Sequence, residues 1–373
     1  MDAVLPDDAG AWLTLNRVPG LGPRTLYRLL QCCPDPELLL SASAARLAEL
    51  GVPEPARRAL RRADRAAAAA DRAWLAGPGR SLLTLACPDY PPPLLATPEP
   101  PILLFLEGRR AALATAGVAV VGSRRPTATG QALARRFAGE LAAAGFPVVS
   151  GLAAGIDGAA HAGALAAGGP TLAVVGNGLD RVYPRSHHGL ARAVTERGLL
   201  LSEYPPGTPP ARHHFPRRNR IIAGLVLGVL VVEAAPRSGS LITARLAAEA
   251  GREVFAVPGS VLNPLAQGCH ALIRDGARLV EGIADLLEEL PTSDAVPCRG
   301  QRPAGPAATA AARDAADRRL LHQLRAGPAS IDALVAASGL GAGEVAARLL
   351  ALELGGHVSS DPGGRFSLLP GAG

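Results

Sequence analysis

The fold is decided by residues 117–165, GVAVVGSRRPTATGQALARRFAGELAAAGFPVVSGLAAGIDGAAHAGAL. This stretch begins with an apolar run that ends at a glycine, continues with apolar residues at helical spacing, and then repeats the run and the glycine turn. Two strands that are each followed by a helix across a short turn predict a parallel sheet with helices on its faces. Ligands of such sheets bind at the carboxyl ends of the strands, where Gly122, Ser123 and Arg124 would meet Ser150 and Gly151.

The first of these turns contains residues that suit an anion. Backbone N–H groups at a helix N-terminus lack intrahelical partners and lie at the positive end of the helix dipole, so a phosphate there is favoured. Gly122 allows a close approach of the backbone, Ser123 adds a hydroxyl group, and Arg124 and Arg125 add charge. The alternative is that the turn only connects a strand to a helix.

The composition excludes several classes of enzyme. The chain has 373 residues and a net charge of +6, and every basic residue is an arginine. Without lysine there is neither a P-loop of the GK[ST] type nor a Schiff-base lysine. The charge fits a polyanionic partner, although a GC-rich coding sequence would produce the same preference for arginine. The five scattered cysteines form no C-x-x-C pair, so we expect neither a zinc ribbon nor a disulfide framework.

The sequence predicts neither export nor insertion into a membrane. The first ten residues, MDAVLPDDAG, are acidic and precede no long apolar run, which is unlike a signal peptide. No uninterrupted apolar stretch of ~20 residues occurs. We therefore expect a cytoplasmic protein without membrane contact, and we expect no metal and no cofactor.

The chain before the sheet divides into two segments. Residues 1–75 predict a small helical domain, in which residues 15–30 have a helix-hairpin-helix or SAM-like pattern around Gly20, Leu21 and Gly22. The hairpin amides of such a unit can touch a DNA phosphate, but a domain that only packs is an equal alternative. Residues 76–109 are rich in proline and predict an extended connector with one short strand.

Residues 110–290 predict an extended, doubly wound sheet of the Rossmann type. At least six apolar runs alternate with segments of helical length, which indicates parallel strands with helical crossovers. The predicted strands are residues 118–121, 147–149, 171–175, 198–202, 228–233 and 253–257.

The C-terminal part predicts a linker and a winged-helix domain. Residues 291–316 are low in complexity and rich in Pro, Ala and Gly, as in flexible linkers. Residues 317–373 predict three short helices and a hairpin. The expected recognition helix carries Glu344, Arg348 and Glu353, so its charge favours protein contact or packing over DNA reading.

Two further segments are expected at the carboxyl edge of the sheet. Residues 212–220, RHHFPRRNR, contain four arginines that suit a nucleic-acid backbone and one stacking residue, Phe215, although the run is also compatible with a solvated basic loop. Ser238, Gly239 and Ser240 repeat the glycine turn before a helix that carries Thr243, so the two helix termini predict a paired phosphate site.

The second turn of the opening stretch leads into a helix with two titratable residues. Asp157 is placed to cap this helix, and His161 lies one turn further on. We expect a structural Asp157–His161 pair rather than an acid/base pair, because no nucleophile or metal-ligand set accompanies it. None of the turns has the G-x-G-x-x-G pattern with a later acidic residue, which disfavours a nicotinamide or flavin enzyme.

Six ordered motifs resemble the DNA-processing protein A family, also called DprA or Smf. They are GSRRPTATG (122–130), SGLAAGIDGAAH (150–161), FPRRNRIIAGL (215–225), SGSLITA (238–244), VPGS (257–260) and LIRDGA (272–277). The resemblance implies a non-enzymatic homodimer that binds single-stranded DNA, protects incoming strands during natural transformation and loads RecA onto them. One departure is His270, which stands where many members have asparagine.

By this resemblance and the turn chemistry together, we expect one DNA-binding site on the sheet. Its predicted residues are Gly122, Ser123, Arg124, Arg125, Ser150, Gly151, Phe215, Arg217, Arg218, Asn219, Arg220, Ser238, Gly239, Ser240 and Thr243. Two alternatives remain: a nucleoside monophosphate hydrolase that uses the turn at 238–244 with Glu249, and an interaction scaffold whose basic pocket is vestigial.

Overall fold

A computed structural model describes residues 8–290, 320, 323–324, 327–354, 358–360 and 365–368. The chain forms two compact units, Met1–Gly300 and Gln301–Gly373. The predicted linker and most of the first predicted C-terminal helix lie outside the described residues.

Among the described residues of the first unit, nine strands form one sheet. They are β1 (Arg80–Thr84), β2 (Leu103–Gly108), β3 (Gly117–Val121), β4 (Val148–Ser150), β5 (Thr171–Val174), β6 (Leu199–Ser202), β7 (Val226–Val231), β8 (Glu253–Ala256) and β9 (Arg278–Leu279). Their order is β1-β2-β6-β5-β4-β3-β7-β8-β9. The strands from β6 to β9 are parallel, and β1 and β2 pair antiparallel at one edge. The predicted α/β sheet is confirmed.

The helices of this unit cover both faces of the sheet. They are α1 (Ala9–Asn16), α2 (Pro23–Cys32), α3 (Pro36–Ser41), α4 (Ala44–Glu49), α5 (Glu54–Arg61), α6 (Arg65–Leu75), α7 (Pro92–Leu95), α8 (Ala128–Ala143), α9 (Ile156–Ala166), α10 (His188–Arg197), α11 (His214–Gly224), α12 (Gly239–Glu249), α13 (Gln267–Arg274) and α14 (Ile283–Leu287). Val120 of β3 packs in one apolar cluster with Phe137 of α8, and its neighbour Val121 packs in another with Ile222 of α11. Successive strand residues therefore face opposite helical layers. None of the described helices is long and apolar enough to span a membrane.

The strand order reverses at β3. From β3 the chain proceeds outward through β4, β5 and β6, and it then returns to place β7 on the other side of β3. Such a reversal opens a crevice at the carboxyl ends of the two central strands, which is where open α/β sheets bind ligands.

The prediction of an extended connector over residues 76–109 is wrong, although its one short strand is confirmed as β2. β1 pairs with β2, and β2 pairs with β6, so this segment extends the sheet by two strands. The physical reason is the placement of the prolines, which lie before β1, in α7 and in the loops between β1 and β2. Neither strand contains a proline, so the N–H donors of both ladders are intact.

The N-terminal helices pack on the sheet as part of the same compact unit. α1 and α2 are joined by a short turn in which Gly20 has a φ of +81°, a conformation that favours glycine. Trp12 and Leu13 of α1 belong to the apolar cluster that holds Phe105 of β2. Trp74 of α6 contacts Phe105 edge-on, with ring centroids 6.2 Å apart. A contact between this layer and DNA stays a prediction.

The second unit contains helices Ile331–Ser338 and Ala342–Leu354 beside a three-stranded antiparallel sheet. The strands are Ala329–Ser330, Val358–Ser360 and Arg365–Leu368. Leu334, Val345 and Leu349 form its core with Val358. On the predicted recognition helix, Arg348 pairs with Glu344 at 2.8 Å, so part of its positive charge is neutralised within the helix.

Candidate nucleic-acid interface

A cleft of about 710 Å³ lies at the carboxyl edge of the sheet, at the reversal of strand order. Its walls come from the turns after β3, β4, β5 and β7 and from α11. The structure therefore brings together the predicted turns at 122–124 and 238–240 with part of the basic run 212–220. The predicted residues that line it are Gly122, Ser123, Arg124, Asp157, Phe215, Arg218, Asn219, Ser238, Gly239, Ser240 and Thr243.

The turn after β3 is held tightly against the end of β7. Ser123 donates its backbone N–H to the carbonyl of Glu233 at 2.6 Å. A Cβ atom at Gly122 would lie 2.7 Å from the same carbonyl oxygen and 2.8 Å from Ile156, so only glycine allows this approach. Arg124, the next residue, is exposed and lines the cleft, whereas Arg125 is exposed outside it.

The N-terminus of α8 does not offer the predicted phosphate site. α8 begins at Ala128, and its N-cap residue is Thr127 rather than Ser123. The backbone N–H and the hydroxyl of Thr127 donate to the two carboxylate oxygens of Glu233 at 2.9 and 2.6 Å. Glu233 is only 8 % exposed. The protein's own carboxylate therefore occupies the positive end of this helix.

The N-terminus of α12, by contrast, is open to the cleft. Ser238 caps it, accepting from the N–H of Ser240 at 3.4 Å, and the two hydroxyl groups lie 2.7 Å apart. The structure describes the whole first turn of α12, and this turn contains no acidic residue. A Cβ atom at Gly239 would meet nothing within 4 Å. Asn219 Nδ2 donates to the Gly239 carbonyl at 3.2 Å and so fixes α11 beside this terminus.

The arginines of α11 divide between two environments because of helical spacing. Arg218 is on the face that lines the cleft with Phe215 and Asn219, and it is 4 % exposed. Its Nη1 donates to the Val174 carbonyl at 2.6 Å, and Nε has no partner among the described residues. Burial lowers the pKa of the Arg218 guanidinium to about 10, so the group remains a cation at neutral pH. Gly151 makes room for this guanidinium, since any side chain there would collide with it.

Arg217 and Arg220 do not line the cleft, contrary to the sequence prediction. Both point to Glu203, which is buried: Arg220 Nη2 lies 2.5 Å from Oε1, and Arg217 Nε lies 3.7 Å from Oε2. Because they lie on a different face of α11 from Arg218, the same run of sequence supplies both a structural ion pair and a cleft residue.

The predicted Asp157–His161 pair is wrong. Asp157 Oδ2 accepts the N–H groups of Gly151 and Ala153 at 3.1 and 3.4 Å, and burial raises the pKa of this carboxyl against the opposing charge of Arg218. His161 Nδ1 lies 2.7 Å from the hydroxyl of Thr171. That hydroxyl donates to a carbonyl, so the imidazole must be its donor. Burial lowers the pKa of His161 to about 3, which keeps the ring neutral.

Ser150 and His270 also have structural partners rather than places in the cleft lining. The Ser150 hydroxyl is fully buried and donates to the Val120 carbonyl at 2.7 Å, which ties β4 to β3. His270 Nε2 lies 3.0 Å from the Gly259 carbonyl oxygen and braces the turn after β8. Both residues hold elements that position the site.

Nine cleft residues were absent from the predicted set, and three of these have a charged or aromatic side chain: Tyr183, Arg212 and Arg237. Arg212 is the first residue of the basic run 212–220, and Arg237 directly precedes the turn at 238–240, so only the orientation of these two side chains was unknown. Tyr183 follows β5, and the rule that loops at carboxyl ends form the site would have indicated it. Among the described residues, no carboxylate pairs with Arg124, Arg212 or Arg237, all three of which are exposed. The cleft is therefore strongly positive, with Asp157 as the acidic residue of its lining.

Comparison with known proteins identifies the family. A family model described as DNA recombination-mediator protein A matches residues 81–291, and one described as DprA winged helix domain matches residues 304–364. Protein Smf of Escherichia coli K12 is 44 % identical over 301 residues, which cover 79 % of this chain and 79 % of that protein. DNA processing protein DprA of Streptococcus pneumoniae R6 is 49 % identical over 204 residues, which cover 54 % and 71 %.

Two solved structures agree with this result. The X-ray structure of DNA processing protein A from Streptococcus pneumoniae superimposes with a TM-score of 0.68 and 38 % identity, covering 77 % of this chain and 99 % of that one. A structure of DNA processing protein A from Helicobacter pylori, which concerns the single-stranded DNA binding mode of that protein, gives a TM-score of 0.51 and 30 % identity, covering 56 % and 97 %. This chain belongs to the DNA recombination-mediator protein A family, which is the family of the DprA and Smf proteins.

Proposed function

We propose that this chain binds single-stranded DNA in the cleft at the carboxyl edge of the sheet. The observation that carries the proposal is a positive cleft, built around an open helix N-terminus, in which the exposed arginines form no ion pair with a carboxylate of the described residues. Arg124, Arg218 and Arg237 supply charge beside the N–H groups of α12, and this combination favours phosphate groups. The single-stranded DNA binding mode of the related Helicobacter pylori protein supports the choice of polymer.

Membership of the family supports a proposal for the cellular role. A recombination mediator that protects incoming strands in natural transformation and loads RecA onto them must hold DNA without regard to its sequence. Phosphate contacts meet that requirement, because they carry no base information. We propose that the chain acts in this role as a homodimer in the cytoplasm, and that it is not an enzyme.

The geometry around Glu249 argues against the alternative, a nucleoside monophosphate hydrolase. Glu249 is the last residue of α12, ten residues from Gly239, so it lies about 15 Å along the helix from the open terminus. It is exposed and does not line the cleft. Asp157 does line the cleft, but its carboxylate accepts two backbone N–H groups. Release of free base from nucleoside monophosphates by the purified protein would contradict our proposal.

The direct test is fluorescence anisotropy with labelled single-stranded and duplex DNA of equal length at several salt concentrations. We expect the wild type to prefer the single strand. The double variant Arg124→Ala/Arg237→Ala should bind it more weakly at every sequence, and the slope of log affinity against log salt should fall by about 1.4, from about 0.7 for each lost phosphate contact.

The control is Arg245→Ala, which removes one positive charge from the exposed side of α12 outside the cleft. This variant should keep the wild-type affinity and slope. Equal, weak binding by all three proteins would contradict a DNA site in the cleft and would favour the scaffold interpretation.

A further inference from the structure

The stacking residue that the sequence indicates, Phe215, is half-buried and is already packed against neighbouring groups of the protein. Its ring lies against the loop after β5, where a Cβ atom at Gly176 would come within 3.3 Å of it. The guanidinium carbon of Arg124 lies over the ring, 5.0 Å from its centroid. Phe215 therefore supports Arg124 by a cation–π contact. Its covered faces leave little of the ring for a nucleobase.

Tyr183 extends this stack toward the cleft. Its ring centroid lies 5.7 Å from that of Phe215, with the two planes tilted by 34°. Tyr183 lines the cleft, and it is 45 % exposed. It is the only aromatic residue among the exposed large hydrophobic residues of the described chain. An exposed aromatic ring on a wall of a positive cleft is the arrangement by which proteins stack the bases of single strands.

The loop that carries Tyr183 is braced by hydrogen bonds, and the ring itself packs against Phe215. Asn177 Nδ2 donates to the carbonyls of Gly178 and Arg181 at 2.9 and 2.7 Å. Asp180 Oδ1 accepts the N–H of Gly207 at 2.8 Å, which ties the loop to the segment after β6. A ring held in this way loses little conformational entropy when a ligand stacks on it.

We propose that the outer face of Tyr183 is a nucleobase subsite, which takes one unpaired base of a strand whose phosphate is held beside Arg124. This inference rests on the proposed function and deepens it. Every base has a π face, so the subsite is tolerant of sequence. It discriminates against duplex DNA, because a paired base is already stacked on its neighbours and does not reach the ring.

The test compares an oligothymidylate with an abasic oligomer of the same length and the same number of phosphates. The proteins are the wild type, Tyr183→Ala and the control Tyr183→Phe, which keeps the ring. We expect the wild type to bind the oligothymidylate about tenfold more tightly than the abasic oligomer. Tyr183→Ala should lose that difference by weakening only the oligothymidylate complex, and Tyr183→Phe should keep it.

The salt dependence separates the base subsite from the phosphate site. Tyr183→Ala should leave the slope of log affinity against log salt unchanged, because no phosphate contact is lost. Equal weakening of both complexes, or no effect on either, would overturn the subsite while leaving the DNA site intact. A wild type that binds neither oligomer would overturn the proposed function, and the subsite with it.

Discussion

The N-termini of α8 and α12 begin at the same edge of the sheet, after the neighbouring strands β3 and β7, yet they have different roles. Each has a hydroxyl residue as its N-cap, Thr127 in α8 and Ser238 in α12. The first is closed by the carboxylate of Glu233, and the second faces the cleft without an acidic residue in its first turn. A glycine turn before a helix is therefore insufficient to indicate an anion site. The deciding question is whether the protein supplies the anion itself.

Strand adjacency explains the difference. Glu233 lies two residues beyond the end of β7, and β7 pairs directly with β3, so its carboxylate reaches the helix that follows β3. Gly130 leaves the space that this carboxylate occupies. The start of α12 has Asn219 as its neighbour instead, and this side chain donates to the Gly239 carbonyl and so does not compete with an anion for the helical N–H groups.

The largest effect is expected from closing the open terminus. Gly239→Asp places a carboxylate at the start of α12, where the helix dipole stabilises it and the backbone has room for it. It would then repel a phosphate as Glu233 does at α8. We expect about a 100-fold loss of affinity for single-stranded DNA, or about 2.7 kcal/mol, with no loss of thermal stability. Gly239→Asn, of the same size and without charge, should lose much less, and similar losses in both variants would contradict the electrostatic explanation.

The converse change opens the closed terminus. Glu233→Ala leaves the half-buried Thr127 N–H and hydroxyl without their acceptor, and we expect the free energy of unfolding to fall by about 2 kcal/mol in chemical denaturation. Glu253→Ala, which removes an exposed carboxylate from β8, should change it by less than about 0.5 kcal/mol. DNA affinity of the folded Glu233→Ala protein should not decrease. A decrease in DNA affinity would show that Glu233 contributes to DNA binding, and it would contradict the proposed difference between the N-termini of α8 and α12.

A smaller difference is expected between the two capping residues. Ser238→Ala should cost about 1 kcal/mol of stability, the usual value for an N-cap that water can partly replace. Thr127→Ala should cost about 1 kcal/mol more, because it also removes a hydroxyl donor from Glu233. Thermal unfolding of the two variants measures this directly. Equal costs would show that the contact with Glu233 contributes nothing to stability.

The last effect is absent at neutral pH and concerns His161, which is buried in the core. The pKa of His161 is about 3 in the folded chain and near 6.5 when unfolded, so the unfolded state binds the extra proton between these values. The stability is therefore complete above about pH 6.5 and falls as the pH is lowered, by up to about 1.4 kcal/mol per pH unit. In denaturant titrations from pH 7 to 5, the free energy of unfolding of His161→Gln should depend less steeply on pH than that of the wild type. The difference in slope should correspond to about one proton fewer taken up on unfolding. The raised pKa of Asp157 changes the stability in the opposite direction with pH, but it does so equally in both proteins. Identical pH slopes for the wild type and His161→Gln would contradict the lowered pKa of His161.

The local pattern of the sequence was sufficient for the central sheet. Apolar runs of strand length, interrupted by glycine turns and helical repeats, identified β3 to β8 because each run is a property of a few adjacent residues. The parallel topology then placed the turns after β3 and β7 at one edge, which located the cleft before its geometry was known. β1 was missed because the prolines on its C-terminal side obscured a short strand that contains none itself.

The tertiary structure alone decided which groups in the cleft are free. Thr127 and Glu233 are separated by 106 positions, and no local pattern predicts that one will neutralise the terminus of the other. Likewise, Arg217, Arg218 and Arg220 are chemically identical in the sequence, and only the partner on each face of α11 makes two of them structural. The sequence determines strands, helices and the edge where ligands bind, because these depend on local periodicity. The pairing of charges depends on contacts between distant segments, and these exist only in the folded chain.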